Sequence, residues 1–305
     1  FRRFLSTCIS PNIGCESASF SSLSLPLSLL VSLVELSISF DPAAAMQSDM
    51  YVKAAFCTAV GVFMRWEYLK AQQVLKEKKP DWSDNKKRLF AVRVVSVTHA
   101  TVSAILVVFS LLLNNNYVKE PYEYYSYNAQ FVFLWSMGYF VYDLFDMIYH
   151  GEASNSKEYL LHHSLVITVF SIIMATGKLS GFAMIALLVE VQTVLLHTRS
   201  LLHLAGYAQT QFFKLLVRTN MTMLFLFRHI PITYLIVYMA VNGGNCPWLL
   251  RIPLLGGLGF IEYHNTHLTY SMFKTDGIFG GEVVQLGEDD VDPLGAVRSK
   301  EEKAQ

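Results

Sequence analysis

Lys157-Glu158-Tyr159-Leu160-Leu161-His162-His163-Ser164-Leu165-Val166-Ile167 carries two adjacent imidazoles into the start of an apolar run long enough to enter a bilayer. Ionisable side chains are costly in hydrocarbon, so within a span they face a protein interior or a water-filled cavity and find partners there. If this run is a span, other spans must surround it, and their polar groups must meet the histidine pair.

The composition supplies such spans. Of 305 residues, 53% are hydrophobic and 16% charged, and the mean hydropathy is positive, which points to a polytopic membrane protein rather than a soluble domain. Apolar runs recur near 50–69, 91–113, 129–149, 160–177, 181–203, 218–241 and 248–270. Each approaches the ~20 residues that cross a hydrocarbon core of ~30 Å. Their length and lack of alternation favour helices over barrel strands. The predicted fold is therefore an all-α polytopic membrane protein of six to seven transmembrane helices. The first run is the weakest, because Lys53, Arg65 and Glu67 shorten its apolar centre.

Loop charge predicts the orientation. The segment 70–90 holds Lys70, Lys76, Lys78, Lys79, Lys86, Lys87 and Arg88, as a cytosolic loop does. The uncharged turn 242–247 reads as an exoplasmic hairpin. The N-terminus is then exoplasmic and the C-terminus cytosolic. Residues 1–45, rich in Ser and Leu, read either as a signal-like extension or as an untranslated leader ahead of Met46. Residues 46–90 form the first span and its basic loop, 91–272 the core, and 273–305 a disordered acidic tail. The four cysteines show no metal-type spacing, and Cys8 could pair with Cys15 only in a luminal N-terminal segment.

Polar residues recur inside the spans. Tyr139, Tyr142, Asp143, Asp146 and His150 share one helical face. Glu190, Thr193 and His197 follow in the fifth run, and Arg228 and His229 sit mid-span before Pro231. Ser96, His99 and Ser103 form a stripe in the second run, and Glu262, Asn265 and Thr269 another in the last. A charge at the bilayer centre costs ~2.5–3.5 kcal/mol on insertion scales, so several such residues facing lipid independently would be prohibitive. They should line one polar cavity open towards the cytosol. Arg228 is a counter-ion for either Glu190 or Glu262, while His264 and His267 approach the cytosolic end and solvate there.

Several chemistries are excluded. Net charge is zero, so nothing suggests a nucleic-acid partner. Nine histidines without repeated short boxes do not make a membrane di-iron oxidase, and no metal site is expected. Neither a nucleophile elbow nor a Walker loop appears. A histidine base beside carboxylates, as in acyl transfer, remains.

Glu158-Tyr-Leu-Leu-His-His163 followed by Leu188-Val-Glu190 resembles the TLC domain of ceramide synthases and related membrane proteins. Ser96-Val-Thr-His-Ala100, Gly138-Tyr-Phe-Val-Tyr-Asp143 through Asp146, Leu187-Leu-Val-Glu-Val191 and Asn220 to Pro231 look like its calfacilitin-type subgroup, TLC domain-containing proteins 1 and 2. The resemblance implies a helical bundle enclosing a polar, lipid-accessible cavity. In ceramide synthases the paired histidines serve acyl transfer together with a later His-Asp pair. Here His162 and His163 match the first pair, but Val189-Glu190 stands where the second belongs.

Three functions follow as expectations. The resemblance to the subgroup implies regulation of membrane phospholipid composition and fluidity, limiting polyunsaturated phosphatidylethanolamine through a lipid-binding cavity. An acyl-CoA-dependent N-acyltransferase is the second, with His162, His163, Asp143, Asp146 and Glu190 as catalytic candidates. The third is a channel-associated subunit in which the polar residues only join helices. His99, Tyr142, His197, Arg228, His229 and Glu262 are expected as cavity residues. Membrane lipids are the expected partners, with acyl-CoA a substrate only in the enzymatic reading and no cofactor required. The resemblance implies the plasma membrane, with the endoplasmic reticulum as the alternative.

Overall fold

The computed structural model describes residues 50–152, 157–243 and 246–276. The predicted leader and most of the predicted tail lie outside them. Among the described residues the chain is a helical bundle without strands. The helices are α1 (Met50–Lys78), α2 (Asp84–Leu113), α3 (Asn116–Lys119), α4 (Tyr127–Tyr149), α5 (Lys157–Thr176), α6 (Ser180–Ala186), α7 (Val189–Leu204), α8 (Gln211–Leu224), α9 (Ile230–Asn242) and α10 (Trp248–Asp276), with a π-helical segment Phe225–His229 joining α8 to α9.

Five stretches are long and apolar enough to cross a membrane: α2, α4, α5, α6–α7 taken together, and α8–α9 taken together. Helices α1 and α10, each of 29 residues, have the length but carry too many polar groups to meet the same measure. Lys53, Arg65, Glu67 and Lys70 interrupt α1, and Arg251, Glu262, His264, Asn265 and His267 interrupt α10.

The basic loop expected over 70–90 shrinks to residues 79–83, because α1 runs on to Lys78 and α2 starts at Asp84. Ser83 starts α2 by accepting a hydrogen bond from the Lys86 backbone N–H at 3.2 Å. Lys79 and Lys86 both lie over the Trp82 ring in this turn.

Helix α7 lies inside the bundle, packed on α2 and α8, while α4 packs on α1, α2 and α5. Helix α5 is peripheral and buries little besides Phe170 and Ile173. Its outward hydroxyls, Ser164, Thr168, Ser171 and Thr176, each donate to the carbonyl four residues earlier at 2.8 Å. That is how hydroxyls stay satisfied where lipid offers no acceptor.

Two local features position the interior groups. The span 180–204 breaks at Leu187-Leu188, so Glu190 falls in the first turn of α7. The positive end of a helix favours a carboxylate there. In the second, the Ile230 N–H bonds to the Phe225 carbonyl, five residues back. Pro231, which has no N–H to continue an α-helical ladder, follows at once. Such π-bulges gather at functional sites.

Candidate functional site

The helices enclose a cavity of about 290 Å³. Its walls are mostly apolar, with polar groups contributed by α2, α4, α5, α7, the π segment and α10. His99, Asp143, Asp146, His162, His163, Glu190, His197 and Arg228 all line it. The structure thus brings together polar residues spread over more than 120 positions of sequence, from His99 to Arg228.

Four sites within the cavity can be distinguished. In the first, His163 Nδ1 stands 3.4 Å from Asp143 Oδ2, with both side chains largely shielded. This pair has ion-pair distance but not hydrogen-bond alignment. Phe140 lies against His163, with ring centroids 5.1 Å apart. A carboxylate beside an imidazole can orient the ring and support it as a base.

In the second, His162 stacks with His264 at 6.0 Å and 14°. His264 Nδ1 in turn lies 3.6 Å from Glu158 Oε2. His264 is buried and lines the cavity, which corrects the expectation that it is solvated; His267 is exposed.

In the third, His99 lies flat on Tyr139, with centroids 3.9 Å apart and planes at 9°. Tyr139 donates to Ser96 Oγ at 3.1 Å. His99 Nε2 hydrogen-bonds Ser103, and Ser103 hydrogen-bonds Ser136. Glu190 Oε2 is 3.9 Å from His99 Nδ1, outside hydrogen-bond range.

The fourth centres on Arg228. Neither expected carboxylate pairs with it. Its guanidinium donates to Gln192, Asn265 and Thr193 instead. Gln192 is fully buried and passes a further bond to Asn220 at 2.8 Å. Sequence reading missed Gln192 because it sits in an otherwise unremarkable apolar run.

Asp146 lines the cavity but is committed elsewhere. It accepts from Arg88 at 3.0 Å and lies 3.7 Å from Arg65 and 3.4 Å from His150. Arg88 also binds Glu152. Two arginines and a histidine hold Asp146 near the end of α4.

Three expected cavity residues are placed outside the lining. Tyr142 turns towards α1, where its Cβ faces Gly61. His229 and Glu262 form their own cluster between the π segment and α10: Nδ1 contacts Glu262 Oε1 at 2.5 Å, and Nε2 contacts Thr269 Oγ1 at 2.8 Å. Arg228 and His229 are adjacent in the π segment, yet the first points into the cavity and the second towards Glu262 and Thr269 of α10.

Several cavity atoms have no hydrogen-bond partner in the protein: His162 Nδ1, Glu190 Oε2, His197 Nδ1 and the Asn265 amide nitrogen. Buried polar groups are normally satisfied, so these mark where water or a ligand completes the site. Among the described residues no group of three or more His, Cys, Asp or Glu is arranged to hold a metal ion.

A polytopic helical bundle around a mostly apolar cavity that carries a few inward polar groups is the architecture that the histidine-bearing span implied. The family model for the TLC domain matches residues 89–274, most of the chain, and the chain belongs to that family. It is 28% identical to TLC domain-containing protein 2 of Danio rerio over 181 residues, 59% of this chain and 74% of the relative. It is 31% identical to TLC domain-containing protein 1 of Gallus gallus over 169 residues, 54% of this chain and 67% of the relative. Human TLC domain-containing protein 2 is 27% identical over 167 residues, covering 55% of this chain and 62% of the relative. No solved structure matches.

Proposed function

We propose that this chain binds a membrane lipid in its cavity and, through that binding, regulates phospholipid composition and fluidity, limiting polyunsaturated phosphatidylethanolamine. One observation carries the reading: a mostly apolar cavity whose wall holds His162, His163, Glu190 and Arg228, several of them with polar atoms left for a ligand. Ligand sites are typically apolar with a few convergent polar groups. The specific lipid effect rests on the resemblance to the calfacilitin-type subgroup, as does residence in the plasma membrane. The test is lipidomics with labelled fatty acids in cells lacking the endogenous protein. The wild-type chain should lower polyunsaturated phosphatidylethanolamine, and a His162→Ala/His163→Ala variant should not. Identical profiles for the two chains would refute the reading.

A second reading, acyl transfer from acyl-CoA to an amine, is favoured by the His163–Asp143 pair. The amine nitrogen would attack the thioester carbon as His163 takes its proton; the C–S bond then breaks and coenzyme A leaves as the thiol, protonated by His163, with Asp143 orienting the ring. A change in ceramide rather than phosphatidylethanolamine in the same experiment would select it.

A further inference from the structure

Arg228 is buried and lines the cavity, yet its side-chain hydrogen bonds go to neutral oxygens. Nε donates to Gln192 Oε1 at 2.5 Å, one Nη to Asn265 Oδ1 at 3.3 Å and the other Nη to Thr193 Oγ1 at 2.9 Å. A guanidinium has five N–H donors and no acceptor, so two donors remain. Among the described residues no carboxylate forms an ion pair with it, although Glu190 shares the cavity.

The guanidinium also fixes its neighbours. Because it can only donate, Gln192 and Asn265 must turn their amide oxygens towards it and their NH₂ groups away. The Gln192 NH₂ finds Asn220 Oδ1 at 2.8 Å. The Asn265 NH₂ finds no protein partner, although Asn265 is only 1% exposed and lines the cavity. A buried donor is expensive to leave unmatched, and more so in a low-dielectric wall beside a cation whose own hydrogen bonds all go to neutral oxygens.

These donors need an acceptor that carries negative charge. We propose that Arg228 and the Asn265 amide form a subsite for an anionic oxygen group, a phosphate or a carboxylate, at the end of a ligand's apolar chain. The proposal deepens the lipid-cavity reading and depends on it. Glu190 opposes any anion in the cavity, so the subsite works only if the guanidinium and the amide outweigh it. The mostly apolar wall formed by residues of α5, α6 and α10, among them Val166, Phe182, Leu254 and Leu258, then takes the chain.

The test uses the full chain in a non-ionic detergent and three probes sharing one chain: oleyl phosphate, oleate and oleyl alcohol. Binding is measured by microscale thermophoresis. At least one anionic probe should bind about tenfold or more tightly than the alcohol, since charge-assisted hydrogen bonds are roughly twice as strong as neutral ones. Arg228→Gln should reduce that preference to near parity while leaving alcohol binding in place, and Arg228→Lys should restore part of it. A stronger phosphate would identify a phospholipid-type head, and a stronger oleate a fatty acid. If Arg228→Gln does not fold, Asn265→Asp keeps the side-chain shape, replaces the donor with a carboxylate, and should lose the preference. Equal binding of alcohol and both anions to the wild type, or a preference that survives these substitutions, would overturn the subsite alone. Failure of all three probes to bind would overturn the lipid cavity with it.

Discussion

Replacing Gly138 with alanine tests how closely α4 is seated on α1. A Cβ at this position would lie 2.7 Å from the Cys57 carbonyl oxygen and 2.7 Å from Val60 Cβ, with Val60 Cγ1 at 2.9 Å. Carbon atoms rest at ~3.5–4.0 Å, so the two helices would have to part by roughly 1 Å. The nearest obstacles are backbone and a Cβ, which cannot swing aside as a flexible side-chain tip can. Overpacking of this kind costs ~1–3 kcal/mol, and its upper range applies here. Alanine recovers about 1 kcal/mol of helix propensity, leaving a net loss of roughly 1–2 kcal/mol. Gly61 is the control within the same interface. Its added Cβ would meet the Gly138 oxygen at 3.6 Å and Tyr142 Cβ at 3.9 Å, which are ordinary contacts. Gly61→Ala should therefore keep the propensity gain and stabilise by up to about 1 kcal/mol. Unfolding of the detergent-solubilised chain, followed by circular dichroism, reads both signs. If Gly138→Ala is as stable as the wild type, or if both variants shift in the same direction, the α1–α4 seating is wrong.

The remaining predictions concern the ends of the bundle and its orientation. Arg88→Met removes the closest cation from buried Asp146, and breaking such a pair should cost ~2–4 kcal/mol in the same assay, below the full buried-pair value because Arg88 is partly exposed. Arg65→Met should cost under ~1 kcal/mol, since Arg65 is 46% exposed and 3.7 Å from the same carboxylate. Ser83→Ala removes the cap of α2 and should cost about 1 kcal/mol, whereas Ser83→Asp should not. Burial pushes the thiol of Cys246, in the turn before α10, above its ordinary range. Maleimide reacts with the thiolate, so labelling of Cys246 should be slow at neutral pH and rise steadily as the pH climbs; fast labelling at pH 7 would refute this. The orientation read from loop charge predicts that Asp81→Cys, in a chain whose native cysteines are serine, is labelled only from the cytosol and Asn115→Cys only from outside.

Much of the architecture was legible because a bilayer leaves so few solutions. Apolar length marks the spans, and five of them meet the measure by composition. The outer helices α1 and α10 show where that signal fades. Their polar residues are tolerated because they face partners: Glu67 accepts from Thr98 at 2.5 Å, and Asn265 accepts from Arg228. Hydropathy averages around a helix and cannot see which side a polar residue takes. Loop boundaries failed for a related reason. Lys86, Lys87 and Arg88 look like loop, yet they form the first turns of α2, where Lys87 reaches the Pro80 carbonyl and Arg88 the Asp146 carboxylate.

The site was legible in its members more than in its pairings. Intramembrane cost gathers polar residues into one interior, and most of the expected ones do line one cavity. Which atom meets which is set by rotation about each helix axis, and single-residue differences decide it. Val189-Glu190, where the ceramide synthases have His-Asp, reads in sequence as a lost partner for the histidine pair. In the structure His163 faces Asp143, four residues beyond Tyr139 on α4, while Glu190 faces His99 from the first turn of α7. The histidine pair therefore keeps a carboxylate without needing one from α7.

That division bears on what the cavity can do. A chemistry confined to His163 and Asp143 requires the substrate's reacting atom near α4 and α5. The donors of Arg228 and Asn265 belong to the π segment and α10, and they call for an acceptor group there. If one lipid occupies both places, its head must carry negative charge at one point and offer a proton or a neutral polar group at another. If two ligands do, the cavity is a meeting point for a head group and an acyl donor. Binding measured with Asp143→Asn separates the cases. A single occupant should lose affinity for the same probe in Asp143→Asn and Arg228→Gln alike. Two occupants should respond independently, each variant weakening a different probe. A probe whose affinity falls with Arg228→Gln and not with Asp143→Asn would refute the single-lipid arrangement and leave the Arg228 subsite standing by itself.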